Sequence, residues 1–166
     1  MHPVKLIGVA CGLGTQDRGC EDGPQSLRTL EIFGGEGVAA NWGDILRPAG
    51  SGPLVGIIAE LCARLANRVQ DALEAGDFPV VVGGDHSCAI GTWSGVRQWL
   101  GERGALGLIW IDAHMDSHTF VTTPSGALNG MPLACLLGHG EAVLTGVGGR
   151  AEAAPGACMP ARSEEF

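Results

Sequence analysis

Phe78-Pro79-Val80-Val81-Val82-Gly83-Gly84-Asp85-His86-Ser87 is a compact, β-prone run that stops at two glycines and delivers an aspartate and a histidine. A second stretch is built alike: Leu106–Ile111 is apolar and leads straight into Asp112-Ala113-His114-Met115-Asp116. Continuous apolar strands of this kind belong to a parallel sheet covered on both faces, with amphipathic helices between them. The chain supplies such helices. Leu54, Ile58, Leu61, Leu65, Val69 and Leu73 recur at steps of three and four, while Glu60, Arg64, Arg68, Asp71 and Glu74 lie off that stripe. This spacing predicts a helix over Leu54–Ala75, stopped by Gly76. Ser87–Leu100 reads as another, closed by Gly101. Upstream, Val4–Ala10 is a third apolar run. Gly23–Phe33 reads as a helix with Pro24 in its first turn, and 34–53 as irregular connection with a short strand near Asp44–Leu46. Strand and helix alternate, so the fold class is α/β with right-handed crossovers. In such sheets the working residues gather beyond the C-terminal ends of the strands.

Composition narrows the function. The 166 residues are 45% hydrophobic and 17% charged, as in one soluble domain. Lys and Arg number 10 against 18 Asp and Glu, a formal charge of −8, which speaks against a nucleic-acid partner that needs a cationic surface. No run reaches the ~18 apolar residues of a membrane span, and no basic segment followed by a long apolar run opens the chain, so a cytoplasmic location is expected. The six cysteines, Cys11, Cys20, Cys62, Cys88, Cys135 and Cys158, form no C-x-x-C pair and read as reduced thiols, several of them buried. Glycine is 28 of 166, more than twice the usual ~7%, without a repeat or low-complexity tract, which points to tight loops and close backbone approaches.

The two strand ends carry the chemistry. In an extended chain, side chains at i, i+2 and i+4 share a side, so Asp112, His114 and Asp116 are expected on one face, with His86 joining from a neighbouring strand. Carboxylates and imidazoles without thiolate favour a hard to borderline divalent ion such as Mn²⁺. A carboxylate can bridge two ions, and a two-metal centre generates a nucleophilic hydroxide at neutral pH. The double glycine before Asp85-His86 is expected to let the backbone turn close to the ions.

At these residues the sequence resembles the ureohydrolase superfamily and, within it, the arginases, over roughly residues 4–148. G-G-D-H-S at 83–87 and D-A-H-M-D at 112–116 resemble two of that family's three metal signatures, and E-D-G-P-Q-S-L-R at Glu21–Arg28 resembles its first loop and helix. The resemblance implies a three-layer αβα fold with a mainly parallel sheet, here truncated, and hydrolysis of L-arginine to L-ornithine and urea by metal-bound hydroxide at a pair of Mn²⁺ ions. His86 and Asp116 would serve one manganese, His114 the other and Asp112 both, with Asp116 also orienting the hydroxide. The following loop, with T-x-S-G at 123–126, resembles the arginase loop that holds the substrate's α-carboxylate and α-amino groups. The substrate residues so implied are His114, His118, Thr123, Ser125, Gly126 and Asn129. Other ureohydrolase substrates (agmatine, another guanidino acid, formimidoylglutamate) and a non-catalytic metal-binding fragment are the alternatives. Homo-oligomers are common in the family.

The sequence also departs from that pattern. His118 and Ala127 stand where arginases usually have Asn. Asn129 replaces a proton-shuttling His and carries no proton at neutral pH. The family's third signature, S-x-D-x-D, is missing, and no Asp follows Asp116. Each ion would lose carboxylate ligands, so the isolated chain is expected to be inactive. Residues 1–148 read as the N-terminal part of a ureohydrolase domain and 149–166 as a non-homologous tail. Permitted codons for that tail, read one nucleotide later, resemble the family's next loop and strand, so a frameshift is the expectation there.

Overall fold

The structure, a computed structural model, describes residues 2–30 and 40–149. Residues 31–33 of the first expected helix, and the expected tail from residue 150 onward, lie outside the described residues. Three parallel strands form a sheet in the order β2-β1-β3: β1 is Val4–Val9, β2 is Ala40–Leu46 and β3 is Phe78–Gly83. The central strand pairs Val4 with Phe78 and Val9 with Gly83 on one side, and Val4 with Ala40 and Val9 with Leu46 on the other. Leu6 and Ile7, which point to opposite faces, are both buried, as a strand covered on both faces requires. The β2 ladder slips one residue between Leu6 and Gly8, where a Cβ on Gly8 would lie 2.8 Å from Ile45 Cγ1. β2 is longer than the short strand expected at Asp44–Leu46, because pairing with β1 recruits Ala40–Gly43, which carry little apolar signal of their own.

Helix α1 (Gly23–Thr29) starts on Pro24. Helix α2 (Leu54–Glu74) buries Ile58, Leu61, Cys62, Leu65, Ala66, Val69 and Ala72. Its end is a Schellman turn: Gly76 N donates to Leu73 O at 3.1 Å, Asp77 N donates to Ala72 O at 2.9 Å, and Gly76 takes φ 82°. Leu61, Leu65 and Val69 pack with Ile7, Val9 and Leu46 of the sheet. Helix α3 (Cys88–Leu100) lies along α2 at very short range. A Cβ on Gly91 would come 2.5 Å from Cys62 O, and one on Gly95 would run into Ala66 O. The spacing Gly91-x-x-x-Gly95 against Cys62-x-x-x-Ala66 brings the two backbones together, which accounts for part of the glycine excess. Short helices α4 (Pro132–Leu136) and α5 (Ala142–Thr145) close a second core, in which Ile58, Ile90, Leu128, Met131, Cys135 and Leu144 meet. No helix among the described residues is long and apolar enough to cross a membrane.

One expected strand does not form. Leu106–Ile111 makes no ladder, and Ile109 and Ile111 are 83% and 93% exposed. An apolar strand gains stability only from neighbours at its edges and on its faces, and none of the described strands lies beside this one.

The described cysteines are free thiols. Burial pushes Cys11 and Cys135 up to about 11 and Cys88 up to about 12, and raises Cys62 and Cys20 as well.

Gly95→Leu forces α2 and α3 apart and should cost about 1–3 kcal/mol in urea unfolding, whereas Gly104→Leu, whose Cβ meets nothing within 4 Å, should leave the midpoint unchanged. The thiols are neutral when folded and keep raised pKa values, so their contribution is complete below the ordinary 9.0 and is lost as pH rises from there to about 11–12. Unfolding midpoints measured across pH 8–11 should therefore fall on the alkaline side, and iodoacetamide at pH 8 should label Cys20 well before Cys62.

Candidate metal centre

β3 does not end its pairing at Gly83. Gly84 N donates to Val9 O at 2.9 Å and Asp85 N to Cys11 O at 2.8 Å, so the loops after β1 and β3 run on side by side. A Cβ on Gly84 would collide with Cys11 O. The second glycine thus serves this backbone approach, rather than the close passage to ions expected from the sequence. Ala89 N and Ile90 N then donate to His86 O and Ser87 O, so α3 begins directly on the residue that carries the imidazole.

His86 faces the bend that follows Ile111. Its Nδ1 lies 3.1 Å from Asp112 Oδ2 and 2.6 Å from Asp116 Oδ2, and ligand atoms of the three residues all fall within 4.8 Å of one another. Trp110 stacks on the His86 ring at 4.7 Å between centroids. Asp116 is buried, and its Oδ2 has no donor in hydrogen-bonding geometry despite the short approach of His86. A buried carboxylate oxygen left this way is costly unless a cation takes it up. The orphaned oxygen, a second carboxylate and an imidazole nitrogen are a donor set that fits Mn²⁺.

The expected alternation of Asp112, His114 and Asp116 on one face does not hold. The chain bends after Ile111. Asp112 Oδ1 accepts from His114 N at 2.8 Å, an Asx turn, and this backbone hydrogen bond holds the Asp112 carboxyl below its usual range. Asp116 takes φ 49°, left-handed and unusual for a residue with a Cβ. Its carbonyl accepts from Leu133 N at 2.9 Å and Ala134 N at 3.4 Å, capping α4 and fixing the conformation that turns its carboxylate toward His86. The His114 side chain is 83% exposed, with Nδ1 3.3 Å from Asp112 Oδ1, and stands outside the three-residue group.

The remaining candidates share one loop, 117–130, closed by His118 N donating to Gly130 O at 3.1 Å. His118 Nδ1 lies 3.3 Å from Thr122 Oγ1. Thr123 Oγ1 accepts from Ser125 N and Gly126 N at 3.3 and 3.1 Å, and Ser125 Oγ accepts from Ala127 N at 3.2 Å. Both hydroxyls are held by their lone pairs, with the O–H left to donate elsewhere. Gly126 takes φ 71°, which the tight turn demands. Asn129 N donates to Gly14 O at 2.9 Å. Sequence reasoning missed Trp110, although its position two before Asp112 in an extended run was a usable signal. It also gave no role to Asp85.

A sequence model of the arginase family matches residues 2–157. The arginase of Bacillus caldovelox is 40% identical over 164 residues, covering 90% of this chain and 53% of that protein. The arginase of Brevibacillus brevis is 38% identical over 159 residues, covering 88% and 52%. Among solved structures, arginase from Bacillus subtilis superposes with a TM-score of 0.79 at 34% identity, covering 90% of this chain and 51% of that one. Entamoeba histolytica arginase in complex with L-ornithine gives 0.79 at 29% identity, covering 89% and 54%. The chain spans about half the length of the curated relatives it matches. The match of the family model to all but the ends of the sequence, with the fold shared by the solved arginases, makes this chain a member of the arginase family.

Proposed function

We propose that this chain forms the His86-bearing half of a site that hydrolyses L-arginine to L-ornithine and urea in the cytoplasm. The observation that carries this reading is the convergence of His86 Nδ1 on Asp112 Oδ2 and Asp116 Oδ2 at 3.1 and 2.6 Å. His86, Asp112 and Asp116 would hold Mn²⁺ with their facing atoms, and His114 would reach a second ion after its exposed side chain turns inward. Bound there, the metal lowers the pKa of water toward neutrality and polarises the guanidinium. Asp116 accepts a hydrogen bond from the attacking water, which aims its lone pair at the guanidinium carbon. The water oxygen bonds to the guanidinium carbon, and its proton passes through Asp116 to the ornithine nitrogen as that C–N bond breaks; the remaining hydroxyl proton follows, giving urea and an ammonium group. Asn129 cannot deliver either proton. The free O–H groups of Thr123 and Ser125 donate to the α-carboxylate of arginine, assisted by His118, while Gly126 keeps the turn narrow. A substrate without that carboxylate would leave these donors unanswered. The complex of the Entamoeba histolytica relative with L-ornithine supports a ligand of this class. A homo-oligomer is the proposed assembly.

With no aspartate after Asp116, the 166-residue chain alone should hold Mn²⁺ weakly and release little or no urea. Electron paramagnetic resonance titration with Mn²⁺ measures the first and a urea assay with arginine and agmatine the second. Asp116→Ala and His86→Ala should each weaken binding by at least about tenfold, in the range of a lost metal ligand or its support. Tight two-ion binding with turnover would overturn the inactivity of this half. Joined to the remainder of the Bacillus caldovelox enzyme, the chain should favour arginine, and Ser125→Ala should raise KM for arginine more than for agmatine. A preference for agmatine would overturn the substrate.

A further inference from the structure

Asp85 stands next to His86 yet takes no part in the three-residue group. It is 6% exposed, and both its oxygens are used by backbone donors: Oδ2 accepts from Gly14 N at 2.9 Å and Oδ1 from Ser87 N at 2.9 Å. The first of these bonds spans 71 positions of sequence and joins the loop after β1 to the loop after β3. Gly14 is shaped to the carboxylate, since a Cβ there would lie 2.7 Å from Asp85 Oδ1. The same residue faces the other way with its carbonyl, which accepts from Asn129 N at 2.9 Å. Leu128, beside Asn129, is buried in the second core. The bonds of Thr119, Thr122, Thr123 and Ser125 are local to the loop, while the Asn129–Gly14 contact and the Leu128 side chain tie it to the body, beside the anchors at its flanks, Asp116 and Met131.

We propose that Asp85 is a positioning residue: through the Gly14 backbone it sets loop 117–130 against the His86–Asp112–Asp116 cluster. The inference rests on the reading of that cluster and loop as metal and substrate elements. A carboxylate suits the task because it accepts two N–H bonds at once and donates none. It thereby fixes Ser87, one residue past the imidazole, and Gly14, one hydrogen bond from Asn129, in a single rigid unit. An amide at the same place would turn an NH₂ toward one of the two donors.

Amide hydrogen exchange followed by mass spectrometry on the 166-residue chain tests this. Asp85→Ala should accelerate exchange about tenfold or more in peptides covering 11–17 and 117–130, with helix 54–74 unchanged, as for a local opening. Asp85→Asn, which keeps one acceptor oxygen, should fall between Asp85→Ala and the natural chain and serves alone if the alanine variant does not fold. Unaltered exchange in 117–130, or equal acceleration in 54–74, overturns the proposal. Mn²⁺ titration of the same chains gives the second readout, with several-fold weaker binding expected in Asp85→Asn. If the natural chain binds no Mn²⁺, the metal reading fails, while the exchange pattern still decides the role of Asp85.

Discussion

Two main-chain hydrogen bonds, Gly84 N to Val9 O and Asp85 N to Cys11 O, extend the contact between β1 and β3 beyond the last ladder pair. They are possible because residue 84 has no side chain to hold the backbones apart. The imidazole of the candidate centre inherits its place from this closeness. It sets where α3 begins, and the start of α3 sets where the His86 ring points. It also brings the loop after β1 within reach of the Asp85 carboxylate. A side chain at 84 would disturb sheet, helix and imidazole together.

The helix pair above the sheet is built on the same economy of space. Gly91 and Gly95 let α3 settle on the backbone of α2, so the helix that presents His86 is braced along its length and not only at one end. Asp116 is braced differently. Its carbonyl is tied to α4 and its backbone is held left-handed, which leaves the carboxylate little freedom. A carboxylate fixed by its own main chain needs less side-chain support.

Much of this was legible in the residues. The 3- and 4-step stripe of Leu54–Leu73 marked α2 to within a residue, and Phe78–Val82 marked β3, because burial of one helix face and of a whole strand leaves a periodic trace. Only the outer ends of the stripe drifted: Leu54 is exposed at the first turn. His86, Asp112 and Asp116 were readable as one group because two apolar runs each lead straight into these polar residues, although only the first of the runs forms a strand. The tilt of His114 away from the group was not readable, since it follows from an Asx turn and a left-handed Asp116 that simple alternation ignores. The roles of Gly91, Gly95 and Asp85 were hidden for a related reason. Each depends on a contact distant in sequence, and no local pattern announces which backbone will arrive opposite a glycine or a carboxylate.

Leu106–Ile111 leaves two large apolar side chains, Ile109 and Ile111, turned to solvent with no ladder on either side. Attraction between such surfaces strengthens on warming and weakens in the cold. Contact made through this run therefore has an inverted temperature response. Cooling would loosen any association made through the exposed run rather than steady it.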